Sequence, residues 1–118
     1  MTDERKKFGA SGEKLAAAYL KKKGYEILAT NWRCRLGEID LIARSGEVLV
    51  FCEVKARRGS RYGWPLDAIT ADKQGRLRRL GEFYWNFLTE RSLSVRFDAI
   101  SIYQEGDRTD IDHIEGAF

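Results

Sequence analysis

One proline, one histidine and two cysteines are all that 118 residues contain of these types. So little proline excludes a proline-rich linker. The cysteines, Cys34 and Cys52, are far apart and form no CxxC, and with only His113 beside them no zinc-finger spacing exists. Both thiols read as reduced and buried in strands. His113 stands among acids with no nucleophile partner, so a Ser-His-Asp arrangement has no support. No apolar run approaches the length that spans a bilayer. The opening Met1-Thr2-Asp3-Glu4-Arg5-Lys6-Lys7 leads into no signal-peptide core. A cytoplasmic protein without a membrane partner is expected.

What is present describes a folded domain. Hydrophobic residues make up 43% and charged residues 33%, a soluble globular balance at single-domain length. The net charge of +3 says little by itself, but its distribution is uneven. Cations gather in Arg5-Lys6-Lys7, Lys21-Lys22-Lys23, Arg57-Arg58, Arg76 and Arg78-Arg79, whereas the end beyond Arg96 is acidic. A basic face meeting a polyanion would look like this, as would ordinary solvated surface. One domain is expected, with a core over about 8–103 and an acidic tail over about 104–118.

Periodicity gives the elements. Leu15, Ala16, Tyr19 and Leu20 recur at helical spacing over about 8–23, and Gly24 supplies the stop. A strand follows from Tyr25 to Arg33 and a second over Glu38–Ala43. After a turn at Ser45-Gly46, the strongest strand runs from Val48 to Lys55. The short link argues for an antiparallel hairpin. Residues 57 to 68, with Pro65, read as a loop. From about Thr70 to Thr89, Leu77, Leu80, Phe83, Tyr84, Phe87 and Leu88 share one helical face, and Trp85 points away from it. Val95–Tyr103 closes with a last strand. Helix, three strands, helix, strand is an α/β sandwich with a mixed sheet.

Two of these strands carry acids where core strands should not. Glu38 and Asp40 share one face while Ile39 and Leu41 share the other; Glu53 and Lys55 follow four apolar residues. Embedded charges are costly unless paired or bound to metal. On hairpin neighbours, Asp40, Glu53 and Lys55 can converge at one end of the sheet. Two carboxylates there offer the hard oxygen ligands that magnesium takes, with water and phosphate completing the shell. For a lone Glu-Val-Lys, an ordinary cross-strand ion pair is the commoner meaning. The Gly37-Glu38-Ile39-Asp40 run at hairpin distance shifts the balance.

Asp40 followed by Glu53-Val54-Lys55 resembles the PD-(D/E)xK nuclease superfamily, with Ile39 in place of the proline that names the motif. Further stretches, including Gly12-Glu13, Asn31-Trp32-Arg33, Gly37-Glu38-Ile39-Asp40-Leu41-Ile42, Lys73, Arg76-Leu77 and Arg96-Phe97-Asp98, are similar to the YraN-like family, akin to archaeal Holliday-junction resolvases. The likeness runs from about Gly12 to Ile102. It implies a restriction-endonuclease-like αβββαβ sandwich with a central mixed sheet. It also implies a Mg²⁺ or Mn²⁺ site on Asp40, Glu53 and the Val54 carbonyl, with Lys55 orienting the attacking water and stabilising the pentacovalent phosphate. Glu13 matches an acid that reaches the metal through water in resolvase-like members. A helix first-turn acid favoured by the macrodipole is the equal alternative.

Arg33, Arg57, Arg58, Arg61, Lys73, Arg76 and Arg79 are candidate phosphate contacts. Trp32, Tyr62 and Trp64 could stack on bases or belong to the core. The resulting expectation is a metal-dependent endonuclease acting on DNA, with branched structures as a candidate substrate, and a homodimer anchored on Trp85 or the nearby loop. The rivals are a non-catalytic DNA-structure-binding accessory protein and an assembly protein that merely shares the fold.

Overall fold

The computed structural model describes residues 3–58, 69–89 and 92–118, with 3–10 as helix backbone. Tyr62, Trp64, Arg61 and Pro65 lie outside the described residues. Helix α1 (Asp3–Lys22) leads into strands β1 (Glu26–Cys34), β2 (Gly37–Ser45) and β3 (Val48–Arg58). Helix α2 (Ala71–Leu88) and strands β4 (Ser94–Glu105) and β5 (Arg108–Ile114) complete the chain. The five strands form one sheet in sequence order, antiparallel except for the β3–β4 pair. That parallel pair requires a crossover, which α2 provides. The expected αβββαβ sandwich with a mixed sheet is present, and a fifth strand extends it.

Strand alternation divides the core. Leu41, Ala43, Val50, Cys52, Ile100 and Ile102 meet Ala16, Ala17 and Leu20 of α1. Ile42, Leu49 and Phe51 point the other way, toward Leu77 and Leu80 of α2. The first helix ends where Gly24, at φ 96°, lets Tyr25 N–H return to the Leu20 carbonyl at 2.9 Å. Both cysteines are free and lie in strands, with Cys52 buried and Cys34 half-buried. Among the described residues, no helix is long and apolar enough to cross a membrane.

Three expectations need correction. The acidic end is no tail over its whole length. Glu105 pairs with Arg108 across a Gly106-Asp107 turn, and β5 returns along β4 with Ile111 against the α1 core. On α2, the buried stripe runs through Leu77, Leu80 and Gly81 and then to half-buried Tyr84 and Trp85. Trp85 does not point away: its Nε1–H donates to the Leu93 carbonyl at 2.8 Å. Phe83, Phe87 and Leu88, expected in the stripe, are exposed, Phe87 by 71%. Phe83 and Phe87 fall on the flank of the arc that Leu77, Leu80, Gly81 and Tyr84 define and pack on each other at 5.1 Å, and Leu88 is the helix's last residue. Finally, Ile39 and Leu41 do not share a side. Ile39 joins the α2 cluster with Ile42, and Leu41 the α1 cluster with Ala43.

Candidate metal centre

The site arises from a fork in the sheet. The β2–β3 ladder runs from Ser45–Val48 to Leu41–Cys52 and ends there. Beyond it, β2 continues against β1 through Ile39, Glu38 and Gly37, while β3 continues against β4 from Glu53 to Arg58. Asp40 and Glu53 are the first residues past the fork. The Val54 N–H, which has left the β2 ladder, donates to Asp40 Oδ2 at 2.9 Å. A side-chain carboxylate thus replaces the backbone carbonyl that a continuing ladder would have supplied.

Helix α2 closes the fork. Thr70 caps it, accepting from Lys73 N–H at 3.2 Å. Its first turns bring Lys73, Arg76 and Leu77 over a cleft of about 260 Å³ whose floor holds Glu38, Asp40 and Glu53. Lys73 Nζ forms an ion pair with Glu53 Oε1. The cleft is large enough for a hydrated ion beside a phosphate and too small for a bulky organic ligand.

The electrostatics record crowding of acids. Burial, then the Glu53 carboxylate, push the Asp40 carboxyl up to about 7, against the pull of the Val54 N–H. Glu13 and Glu38 add smaller repulsions. Glu13 is also raised, first by burial and then by Glu38 and Glu53, although a hydrogen bond with Asn31 opposes this. Asn31 is the one non-glycine residue with positive φ, 49°, among the described residues. Four acids from α1, β2 and β3 therefore act on one region.

These donors fit a divalent ion. A carboxyl that burial and a neighbouring carboxylate have raised, as at Asp40, is one that a cation would relieve, and magnesium commonly uses one or two protein carboxylates plus waters and substrate oxygens. Among the described residues, no preformed cage of three or more acidic, histidine or cysteine side chains exists.

The remaining candidates are spread around this cleft. Lys55 is exposed on β3, two residues beyond Glu53 and on the same side of the strand. Arg57 continues that side, while Arg58 alternates to the other, with Val54 and Ala56. Arg33 Nε pairs with Glu38 Oε2 at 2.8 Å across the β1–β2 register. Arg79 lies with Arg76 on an adjoining surface hollow. Trp32 is half-buried against Tyr84 and Phe83, with ring centroids 5.4 and 6.3 Å away.

A second polar cluster escaped sequence reasoning. Asp98, fully buried on β4, accepts from Arg96 Nε at 2.8 Å and Gly116 N–H at 3.0 Å, and His113 Nε2 lies 2.7 Å from its Oδ2. Arg96 also donates to Tyr25 OH at 2.8 Å, and His113 Nδ1 lies 3.4 Å from Tyr19 OH. The cluster ties β4, β5 and α1 together. Its sequence signals were Asp98, an acid inside the last expected strand within the family-like Arg96-Phe97-Asp98, and the alternation of Ile111 and His113 after the Gly106 turn, hidden by the acids between them.

Comparison with known proteins adds a family. The model of the uncharacterised protein family UPF0102 matches residues 12–102. A UPF0102 protein of Pelotomaculum thermopropionicum is 46% identical over 123 aligned residues, covering all of both chains. One from Caldicellulosiruptor saccharolyticus is 42% identical and covers 97% of this chain and 98% of its own. One from Rhodococcus opacus is 47% identical, covering 93% and 94%.

Proposed function

The chain belongs to the uncharacterised family UPF0102, and we propose that it is a metal-dependent endonuclease that hydrolyses DNA phosphodiester bonds, with branched DNA as its substrate class. The observation that carries this reading is the meeting of Asp40 and Glu53 just past the strand fork, under a helix that brings Lys73 and Arg76 to the same cleft. The likeness of Asp40 and Glu53-Val54-Lys55 to the PD-(D/E)xK motif points the same way.

In this reading Asp40, Glu53 and the Val54 carbonyl hold Mg²⁺ or Mn²⁺. When bound, such an ion supplies Lewis-acid polarisation of the phosphoryl oxygen and lowers the pKa of water. Lys55 orients the attacking water, and its charge opposes the negative charge that builds on the phosphate. Arg76 and Lys73 bind the flanking phosphate oxygens, and Glu13 contributes an outer acid held by Asn31. A two-fold dimer suits a four-way junction, which offers two symmetric cleavage points.

The deciding experiment is cleavage of branched, flapped, single-stranded and linear DNAs with Mg²⁺ or Mn²⁺. Cut branched DNA is expected from the wild type and none from Glu53→Gln. Binding without cleavage by the wild type would leave the accessory, non-catalytic role. Neither binding nor cleavage would end the nucleic-acid reading.

A further inference from the structure

Lys73 is a cation at a place its own helix disfavours. It lies in the first turn of α2, the end where the helix dipole favours negative charge, and Asp72 beside it is the residue type that suits that turn. Its ammonium nonetheless reaches into the cleft and pairs with Glu53 Oε1. The partners are unequally solvated: the Glu53 side chain is 13% exposed and that of Lys73 40%. The carboxylate is therefore the partner that depends on a counter-charge, while the lysine end keeps a path to water. The Thr70 cap holds the Lys73 backbone N–H, which leaves the side chain free to turn about its own bonds. Asp40 meanwhile takes its hydrogen bond from Val54 N–H and has Glu53 as its strongest charged neighbour.

We propose that Lys73 is the built-in counter-cation of this cleft: its ammonium holds the cation position at Glu53 Oε1, competes there with the divalent ion, and is released toward a substrate phosphate when that ion binds. The inference rests on the metal-binding reading of Asp40 and Glu53. Its consequence is that the free protein avoids two facing, uncompensated carboxylates at the cost of weaker ion affinity. Lys73 is thus a positioning residue for Glu53 before the ion arrives.

The test is a titration of the full chain with Mn²⁺, reading the free-ion signal by electron paramagnetic resonance, for the wild type, Lys73→Met and Lys73→Arg. Lys73→Met is expected to bind Mn²⁺ roughly three- to tenfold more tightly than the wild type, the scale of losing one partly solvated competing charge. Lys73→Arg should stay near the wild type. Without metal, Lys73→Met should melt below the wild type and gain more from added Mn²⁺. If the wild type binds and Lys73→Met binds equally or more weakly, competition is overturned and the metal site stands. If neither binds, both the competition and the metal site are overturned. Lys73→Gln carries the same comparison should circular dichroism show Lys73→Met poorly folded.

Discussion

Asp40 and Asp98 are both acids in the sheet, and their surroundings drive them in opposite directions. Asp40 faces other carboxylates and has its proton affinity raised from an ordinary 3.8 to about 7, chiefly by burial and then by Glu53. The folded state therefore binds this proton more tightly than the unfolded chain, and stability falls as pH rises through that range. Asp40→Asn keeps an oxygen for the Val54 N–H and removes the charge. In chelator at about pH 8 it should stabilise the protein by about 1–3 kcal/mol, with the gain fading near pH 4. Urea midpoints at the two pH values check this, and a loss at pH 8 would mean that the carboxylate is favourably paired. Asp98 behaves in the opposite sense. Burial would raise it, but hydrogen bonds from His113, Arg96 and the Gly116 N–H outweigh that and hold it at about 2. Its contribution is present above the unfolded value of about 3.8 and disappears as pH falls toward 2. Asp98→Asn should cost roughly 2–4 kcal/mol at neutral pH, because it removes the buried acceptor charge that Arg96, His113 and the Gly116 N–H share and leaves Arg96 only Tyr25 and the more distant Glu115. Thermal melts should show the gap between the variant and the wild type closing in acid. A neutral substitution would remove Asp98 from the stabilising network.

At the scale of elements, legibility followed how much each segment's pattern depended on partners. The second and third strands were plain because Ile39–Ala43 and Val48–Val54 are apolar runs bounded by Gly37 and Ser45-Gly46, and Asp40 and Glu53 stood out as charges inside them. The fork that gives those acids their cleft was not legible, since it depends on where the β2 ladder stops rather than on any residue type. Strand β5 was missed because its acids alternate with Ile111 and His113, and the burial of His113 depends on Asp98, fifteen positions earlier. On α2, Phe87 is as apolar as Tyr84, but it lies on the flank of the buried arc beside Phe83, and which flank the sheet covers depends on the partner elements. Two glycines in that helix make its packing testable with opposite signs. A Cβ at Gly81 would lie 2.9 Å from Phe97 and 3.1 Å from Phe51, rings stacked on each other at 5.4 Å. Gly81→Ala should therefore lose about 1–2 kcal/mol, overpacking outweighing the gain in helix propensity. Among the described residues, a Cβ at Gly75 meets only the guanidinium end of Arg79, at 3.5 Å. Gly75→Ala should gain about 0.5–1 kcal/mol by restricting the unfolded chain. Chemical denaturation of the two variants decides, and equal effects would contradict this packing of α2.

Across the whole molecule, a net charge of +3 is too small to hold a polyanion by itself, so any DNA affinity must come from where the charges stand. The separation of basic and acidic segments was readable in the sequence, but which surface each occupies was not. In the fold, Lys73, Arg76 and Arg79 follow one another along α2 from the cleft outward. Glu105, Asp107 and Asp110 gather instead at the β4–β5 turn. A duplex laid along α2 keeps its phosphates near the cations and near the Asp40–Glu53 cleft, whereas one laid on the β4–β5 turn meets acids. Each phosphate neutralised contributes roughly 0.9 to the slope of log affinity against log salt, so three or four contacts from this face predict a slope of about −3 to −4. Arg76→Ala should lower that slope by about one unit and weaken branched and linear DNA alike, because a phosphate contact carries no sequence or shape preference. Asp107→Asn, at the turn, should leave the slope unchanged. Fluorescence anisotropy titrations at several salt concentrations measure all three proteins. A wild-type slope near zero, or a slope that Arg76→Ala does not change, would take the DNA path off α2.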